Sequence, residues 1–184
     1  MIHTPAFQLR AWKASDRPHF AAINADPLVM KFFPSTLSAH ESDALAERIE
    51  NHFRSYGWGF WALETADSPF VGFVGLSQLS WDPPFQCQVP CVEIAWRLAR
   101  SHWSKGLAYQ AASAVIHYGF TYLKLLQIIS ITALINSRSI RLMNRLSMLR
   151  DEECFNHPRL ELSHPLCAHA IFRINNPESL RRPS

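Results

Sequence analysis

The chain has 184 residues, which is enough for one domain with a sizeable hydrophobic core. Apolar residues make up 48% and charged residues 18% of it, a balance that favours a globular protein and excludes a disordered one. The net charge of +3 is too small to indicate a nucleic-acid-binding protein, and no basic cluster interleaved with aromatic residues precedes the pair Arg181-Arg182.

No segment of the chain has the character of a membrane anchor. The first ten residues lack the apolar core of a signal peptide. The longest apolar stretch, residues 125–135, is interrupted by Gln127, Ser130 and Thr132 and is too short to span a bilayer. We therefore expect a cytoplasmic protein without a membrane partner, and we expect its four cysteines to be free thiols rather than a disulfide framework.

The first third of the chain predicts one strand followed by two helices. Residues 7–12 are predicted as the strand, and Ser15 as the cap of a short helix that stops at Asp26-Pro27. Ser38-Ala-His-Glu41 has the capping-box pattern that starts a second helix. Apolar side chains recur four residues apart on one face of that helix: Leu45, Ile49 and Phe53.

The middle of the chain predicts three strands. Residues 60–64 and 70–79 are expected to form two strands joined by a hairpin connection, and Asp82-Pro-Pro84 opens a loop that runs to Pro90. Period-two alternation then predicts a strand with two unlike faces over residues 92–98. One face carries Val92, Ile94, Trp96 and Leu98, and the other carries Glu93, Ala95 and Arg97.

A basic loop and a helix follow this strand. From Leu107 the apolar residues recur with helical spacing, and the loop before them holds Arg100, His102, Lys105 and Gly106. A helix N-terminus has unpaired N–H groups and partial positive charge, and a glycine lets a ligand approach the backbone closely. The sequence therefore indicates a phosphate-binding loop over residues 100–108.

The last part of the chain predicts a parallel strand, a helix and two further strands. The nearly continuous apolar run of residues 126–135 is typical of a strand buried on both faces, and with the preceding strand and helix it forms a right-handed βαβ unit. Asn136-Ser-Arg-Ser139 caps a last helix. Two more strands are expected within residues 149–174, so residues 1–174 form one domain and residues 175–184 a loose tail.

Several motifs occur together in the order of one known family. They are Val92-Glu-Ile-Ala-Trp-Arg-Leu98, Trp103-Ser-Lys-Gly-Leu-Ala108, Asn136-Ser-Arg-Ser139 running into Met143-Asn-Arg-Leu-Ser-Met148, Asn24-Ala-Asp-Pro27 and Phe70-Val-Gly-Phe-Val-Gly75. Over residues 6–174 the chain resembles the GNAT superfamily of acyl-CoA-dependent N-acetyltransferases, and within it the branch of the ribosomal-protein N-acetyltransferases.

The resemblance implies an α/β (α+β) fold. It consists of a mixed, largely antiparallel seven-stranded sheet with helices on both faces. Its parallel pair, residues 92–98 and 126–135, would splay apart to admit the pantetheine arm of acetyl-CoA. The implied activity is transfer of the acetyl group to a primary amine, on a protein N-terminus or a small molecule, by direct attack. We expect a monomer or a homodimer, and the sequence does not identify the amine acceptor.

The resemblance also implies where the cofactor lies. The pantetheine arm would run beside the backbone of the strand, and the pyrophosphate would lie in the loop. The implied cofactor-binding residues are Ile94, Ala95, Trp96, Leu98, Arg100, His102, Trp103, Ser104, Lys105, Gly106, Leu107, Ala108, Asn136 and Ser139.

Two positions depart from the family pattern. Ser104 and Ser147 stand where the family usually has glycine. Ser104 either crowds the pyrophosphate or donates its hydroxyl to it, and Ser147 costs roughly 1 kcal/mol if its backbone is left-handed. These departures motivate an alternative function, a non-catalytic acyl-CoA-binding protein with this fold.

Three residues are candidates for catalysis. An ammonium must lose a proton before it can attack a thioester, and a partly buried carboxylate has a raised pKa suited to accept that proton. Glu93 is the candidate base, acting through water, and its alternative is a solvated strand residue. Asn136 is a helix cap that can also bind the cofactor or a water. Ser139 either protonates the leaving thiolate or merely exposes its hydroxyl.

The pairs Cys154-x-x-His157 and His164-x-x-Cys167 have the composition of zinc-ligand pairs. The connection between them is only six residues long, and Pro158 and Pro165 stiffen both ends. We therefore expect no metal.

Overall fold

A computed structural model of the chain describes residues 1–177. Its strands are β1 Ile2–His3, β2 Gln8–Arg10, β3 Phe60–Thr65, β4 Ser68–Gln78, β5 Val92–Leu98, β6 Gln127–Ala133, β7 Leu149–Asn156 and β8 Ala168–Asn175. Its α-helices are α1 Asp16–Ala25, α2 Ala39–Tyr56, α3 Leu107–Thr121 and α4 Ser137–Arg145, and short 3-10 helices cover Met30–Phe32 and Arg100–His102.

The strands form one mixed sheet in the order β1-β2-β3-β4-β5-β6-β8-β7. Neighbouring strands are antiparallel except for β5 and β6, so the predicted parallel pairing of these two strands and the predicted fold class are confirmed. The strand count is one higher than expected, because β1 pairs with β2 at the edge through Ile2 and Leu9. A two-residue strand is too short to show a periodic pattern, which is why the sequence did not reveal it.

The parallel pair β5 and β6 touches at one end only. Strand β5 pairs with β4 over its whole length, from Val92 to Leu98. With β6 its register holds one pair, Glu93 opposite Ile129, and the Ser130 hydroxyl donates to the Ile94 carbonyl oxygen at 3.0 Å. Beyond this contact the two strands diverge, as the resemblance implied.

Apolar side chains fill the space on both faces of the sheet. On one face α3 packs its predicted stripe, including Leu107, Ala111 and Val115, against a core that contains Ile94. On the other face α1 and α2 pack Phe20 and other apolar residues against β3 and β4. The two alternating sets of side chains in β5 therefore face different helices on the two sides of the sheet.

Helix α2 starts with a capping box, whereas α1 starts with contacts between Asp16 and the segment just before the helix. The predicted capping box of α2 is present, since Ser38 accepts from the Glu41 N–H and the Glu41 carboxylate accepts from the Ser38 N–H. Ser15 stands at the start of α1 but makes no capping hydrogen bond. The neighbouring Asp16 instead accepts from the Lys13 N–H at 2.8 Å and binds Arg10.

The expectation that all four cysteines are free is wrong for one pair. Cys87 and Cys91 are joined in a disulfide, while Cys154 and Cys167 are free. The loop after β4 returns to the start of β5, where the Leu79 N–H donates to the Cys91 carbonyl oxygen at 2.9 Å. The two cysteines are four residues apart, and the path of the loop between them brings their Cα atoms to 5.7 Å, within the usual range for a disulfide.

The last strand continues past the predicted domain boundary at residue 174. Strand β8 includes Asn175, and the Asn176 N–H donates to the Leu126 carbonyl oxygen at 2.8 Å. Residues 178–184 of the predicted tail lie outside the described residues. Within residues 1–177, no helix combines the length and the apolar character needed to cross a membrane.

We expect Asp16→Ala to lower the free energy of unfolding by about 3–5 kcal/mol, because it leaves a buried guanidinium without its main partner. Arg10 and Asp16 are 3% and 1% exposed, and they bind bidentately at 2.7 and 2.8 Å. Denaturant unfolding measures the change. As a control, Glu50→Ala removes the partly exposed partner of Arg17 and should cost less than about 1 kcal/mol. Equal losses in the two variants would contradict the role given to the buried pair.

Candidate active site

The divergence of β5 and β6 opens a cleft that exposes strand backbone. The Ile94 carbonyl oxygen accepts from Ser130, and the Leu98 carbonyl oxygen accepts from the Trp103 indole N–H at 2.9 Å. Alternate residues of a strand direct their N–H and C=O groups to the same side. The backbone groups of Trp96, between these two residues, therefore point into the opening, where an extended ligand can pair with them.

The cleft has a volume of about 430 Å³ and runs from β5 past the N-terminus of α3 to α4. The segment around Met30–Phe32 forms a further wall of the cleft, through Leu28, Val29, Phe32 and Phe33. Most of the predicted cofactor-binding residues line it: Trp96, Leu98, His102, Trp103, Ser104, Gly106, Leu107, Ala108, Asn136 and Ser139.

Four of the predicted cofactor-binding residues are placed elsewhere. Ile94 is 1% exposed in the core under α3, and Ala95 packs toward α1 and α2. Arg100 approaches Asp26 to 3.8 Å at the rim of a neighbouring depression, and Lys105 is exposed outside the cleft lining. For Ile94 and Ala95, a ligand would meet backbone rather than side chain.

The loop before α3 is shaped to bind an anion. Ser104 and Gly106 both have left-handed backbones, with φ of 60° and 75°. The N–H groups of Ser104, Lys105 and Gly106 donate to no backbone oxygen among residues 1–177, and no side chain caps α3. Alternating left-handed residues turn successive N–H groups toward one point, and the helix N-terminus adds partial positive charge.

Helix α4 contributes a basic face that the sequence analysis missed. Arg138, Arg141 and Arg145 all line the cleft. Arg138 lies over the Trp103 ring at 4.0 Å, and Arg145 over the Tyr109 ring at 4.1 Å. Their spacing of three and four residues places them on one helix face, a signal that could have been used. They make the cleft attractive to phosphate groups.

Asn136 and Ser139 form a small hydrogen-bonded unit at the start of α4. The Asn136 amide donates to Thr132 Oγ1 at 2.9 Å and to Ser139 Oγ at 3.1 Å, and its oxygen accepts from the Ser139 N–H at 3.2 Å. Both amide hydrogens of Asn136 are thus in use. Because Ser139 Oγ accepts from Asn136, its own hydrogen is free to be donated into the cleft.

Glu93 lies on β5 next to the contact with β6, on the face opposite Ile94 and Trp96. It does not line the cleft, and it stands across from Ser77 of β4. Its side chain is half-buried and makes no hydrogen bond or ion pair with residues 1–177. Burial raises the pKa of Glu93 from 4.5 to about 7. A carboxyl group with this pKa is available both as a base and as an acid near neutral pH.

The cysteine–histidine pairs have other contacts. The Cys154 sulfur accepts from Arg150 at 3.4 Å, and His164 Nδ1 accepts from the Leu166 N–H at 3.1 Å. His157 packs beside His169, with ring centroids 4.9 Å apart. Within residues 1–177, no three side chains of the metal-binding types come together.

Comparison with known proteins gives one family and several distant relatives. The family model described as the acetyltransferase (GNAT) domain matches residues 7–148. The uncharacterized N-acetyltransferase p20 of Bacillus licheniformis is 44% identical over 66 residues, which are 33% of this chain and only 37% of that protein. The uncharacterized protein YkkB of Bacillus subtilis is 26% identical over 148 residues, which cover 79% of this chain and 83% of that protein.

Solved structures with the same architecture include three acetyltransferases. A GNAT-family acetyltransferase from Bacillus anthracis has a TM-score of 0.75 at 20% identity and covers 95% of this chain and 98% of its own. Spermidine N-acetyltransferase from Vibrio cholerae, in complex with CoA and spermine, has a TM-score of 0.73 at 18% identity. The match covers 97% of this chain and 100% of that protein. RimL, a ribosomal L7/L12 alpha-N-protein acetyltransferase in complex with CoA, has a TM-score of 0.74 at 13% identity. The match covers 94% of this chain and 95% of that protein. At these sequence identities, the similarity to the solved structures shows the fold alone.

Proposed function

The chain belongs to the GNAT family of acetyltransferases, and we propose that it transfers the acetyl group of acetyl-CoA to a primary amine by direct attack. The acceptor is a protein N-terminus or a small amine. The observation that carries the proposal is the continuity of the opening between β5 and β6 with the unpaired N–H groups before α3. An extended arm ending in a diphosphate needs both features in this order.

The cleft provides separate surfaces for the parts of acetyl-CoA. The Trp96 backbone pairs with the pantetheine amides. The N–H groups of Ser104 to Gly106 bind the pyrophosphate, and the exposed position of Ser104 leaves its hydroxyl free to donate to the same oxygens. The arginines of α4 balance the remaining phosphate charge. In each case the hydrogen-bond donors or positive charges of the cleft match the acceptors or negative charges of the ligand.

Three side chains serve the chemistry in this proposal. Glu93 accepts, through water, the proton that an ammonium loses before its nitrogen attacks the thioester carbonyl. The bond from nitrogen to the acetyl carbon forms as the carbon–sulfur bond breaks. Ser139 donates a proton to the departing sulfur and regains one from the nitrogen as the amide forms, so a thiol and one net proton are released. Asn136 holds Ser139 in place.

A non-catalytic acyl-CoA-binding protein is the second candidate. It is favoured by the left-handed backbones of Ser104 and Ser147, both with φ of 60°, where serine carries strain of roughly 1 kcal/mol or more. A cytoplasmic location and a monomeric or homodimeric state stay predictions from the sequence.

We expect acetyl-CoA at a hundred times its dissociation constant to raise the free energy of unfolding by roughly 2.7 kcal/mol, because it binds the folded state only. Thermal unfolding with acetyl-CoA, CoA and ATP measures this. No shift with acetyl-CoA at about millimolar concentration would contradict both candidates. A shift without CoA release over a panel of peptides and amines would select the non-catalytic one.

A further inference from the structure

Arg97 is a cation of the cleft wall whose hydrogen-bonding capacity is incompletely used. It lies on β5, one residue after Trp96, and its Nη1 donates to the Asn24 side-chain oxygen at 2.6 Å. Its Nε is the one buried side-chain nitrogen or oxygen within residues 1–177 that has no hydrogen-bond partner. Its Nη2 makes no hydrogen bond in the same range.

No anion of the described chain balances the Arg97 charge. No carboxylate within residues 1–177 comes within 4.0 Å of its guanidinium, whereas Arg10, Arg17 and Arg173 each have at least one. The ring of Phe33 lies 4.2 Å from the guanidinium carbon and that of Phe73 lies 5.7 Å away. Burial lowers the pKa of Arg97 to about 10, so the group is still charged at pH 7. A buried charge without an opposite charge is unfavourable unless a ligand supplies one.

We propose that Arg97 binds a carboxylate of the acceptor, so that the enzyme prefers primary amines that carry an acidic group at a distance. This rests on the proposed function, because it names the substrate class of that same site. Phe33 and Phe73 hold the guanidinium plane in position, and Asn24 occupies one of its ends. Arg97 lines the cleft, and its Nε and Nη2, which have no hydrogen-bond partner within residues 1–177, form an edge that matches the fork geometry of a carboxylate.

The positions of Glu93 and Arg97 indicate how far apart the amine and the acidic group must be. The two residues lie on the same face of β5, four positions apart, which separates their Cα atoms by about 13 Å. A free amino acid carries both groups on one carbon and cannot span this distance. A peptide advances by about 3.3–3.6 Å per residue, so an acidic side chain at the second or third residue after a free N-terminus fits better.

Matched peptides test the proposal. C-terminally amidated tetrapeptides with Asp or Asn at the third position differ only in the carboxylate. Their binding to the full chain in the presence of CoA is measured by calorimetry, and their kcat/KM by CoA release with acetyl-CoA. Wild type should favour the Asp peptide by about 10- to 100-fold in both measurements, the usual scale for a hydrogen bond to a charged group. Arg97→Met should remove this preference and leave the Asn peptide within about threefold, and Arg97→Lys should keep part of it.

Arg17→Met, on α1 outside the cleft, is the control and should retain the preference. Equal binding of the two peptides by wild type would overturn the proposal. So would an equal loss for both peptides in Arg97→Met, which indicates a structural role, or a loss of CoA affinity, which assigns Arg97 to the cofactor. Discrimination in binding without any CoA release would support the assignment of Arg97 and contradict the proposed transferase activity instead.

Discussion

Glu93→Gln lowers turnover by about a hundredfold or more and leaves acetyl-CoA affinity unchanged, if Glu93 is the general base. Glutamine has nearly the same shape but cannot accept the proton. Glu93 lies beside the cleft rather than in its lining, so cofactor contacts stay intact. Steady-state kinetics at saturating acetyl-CoA and the thermal shift with acetyl-CoA measure the two quantities separately. Glu153→Gln, at an exposed position of β7, is the matched control and should change neither.

The pH profile provides a second measurement on the same variant. The folded-state pKa of Glu93 is about 7, so the wild-type rate rises as the pH passes through 7 and the base becomes ionised. In the variant, the rate should rise with pH only through deprotonation of the acceptor amine itself. Stability changes in the opposite direction. Because the folded pKa lies above the unfolded value near 4.5, the contribution of the protonated carboxyl is complete below pH 4.5 and is lost as the pH rises through 7. Equal turnover in wild type and Glu93→Gln from pH 6 to 9 would remove Glu93 from the mechanism.

Gly106→Val should reduce acetyl-CoA affinity by at least about tenfold, because the added side chain blocks the approach of a pyrophosphate to the loop backbone. Within the protein a Cβ at Gly106 would meet only the Gln110 side chain, at an ordinary 3.6 Å. The loss therefore concerns the ligand rather than a clash inside the fold. Calorimetric titration with acetyl-CoA measures it, and the apo protein should fold.

The left-handed backbone of Gly106 adds strain that must be separated from the effect on binding. At φ of 75°, a non-glycine residue costs about 1–2 kcal/mol. Gly57, the C-cap of α2, has φ of 74° and no atom within 4 Å of an added Cβ. Gly57→Val should thus show a similar loss of stability and normal acetyl-CoA affinity. If Gly106→Val bound acetyl-CoA as tightly as wild type, the loop would not be the phosphate site.

The parts of the fold that could be predicted depend on periodic residue patterns or on motifs only a few residues long. The alternation of residues 92–98 and the helical stripe from Leu107 locate β5 and α3, because side-chain direction follows directly from the backbone period. The Ser38–Glu41 capping box closes within four residues and was equally accessible. Such features need no knowledge of distant parts of the chain.

The features that could not be predicted depend on contacts between distant segments or on the path of irregular loops. The Arg97 side chain meets Asn24, 73 residues earlier, and Phe33 from a loop without periodicity. The Cys87–Cys91 pairing depends on the path of an irregular, proline-rich loop. For Glu93 the residue type suggested its role, but only the packing around it raises its pKa.

The opening between β5 and β6 places unpaired backbone groups in the interior of the sheet. Sheets usually expose unpaired N–H and C=O groups at their outer strands, where a strand of another molecule can add and begin aggregation. Here the open groups of Trp96 lie inside the sheet, because β4 and β8 cover the outer sides of β5 and β6. The contact between Glu93 and Ile129 closes one end of the gap. The fold thus offers a strand edge to a slender molecule with amide groups and withholds it from another polypeptide.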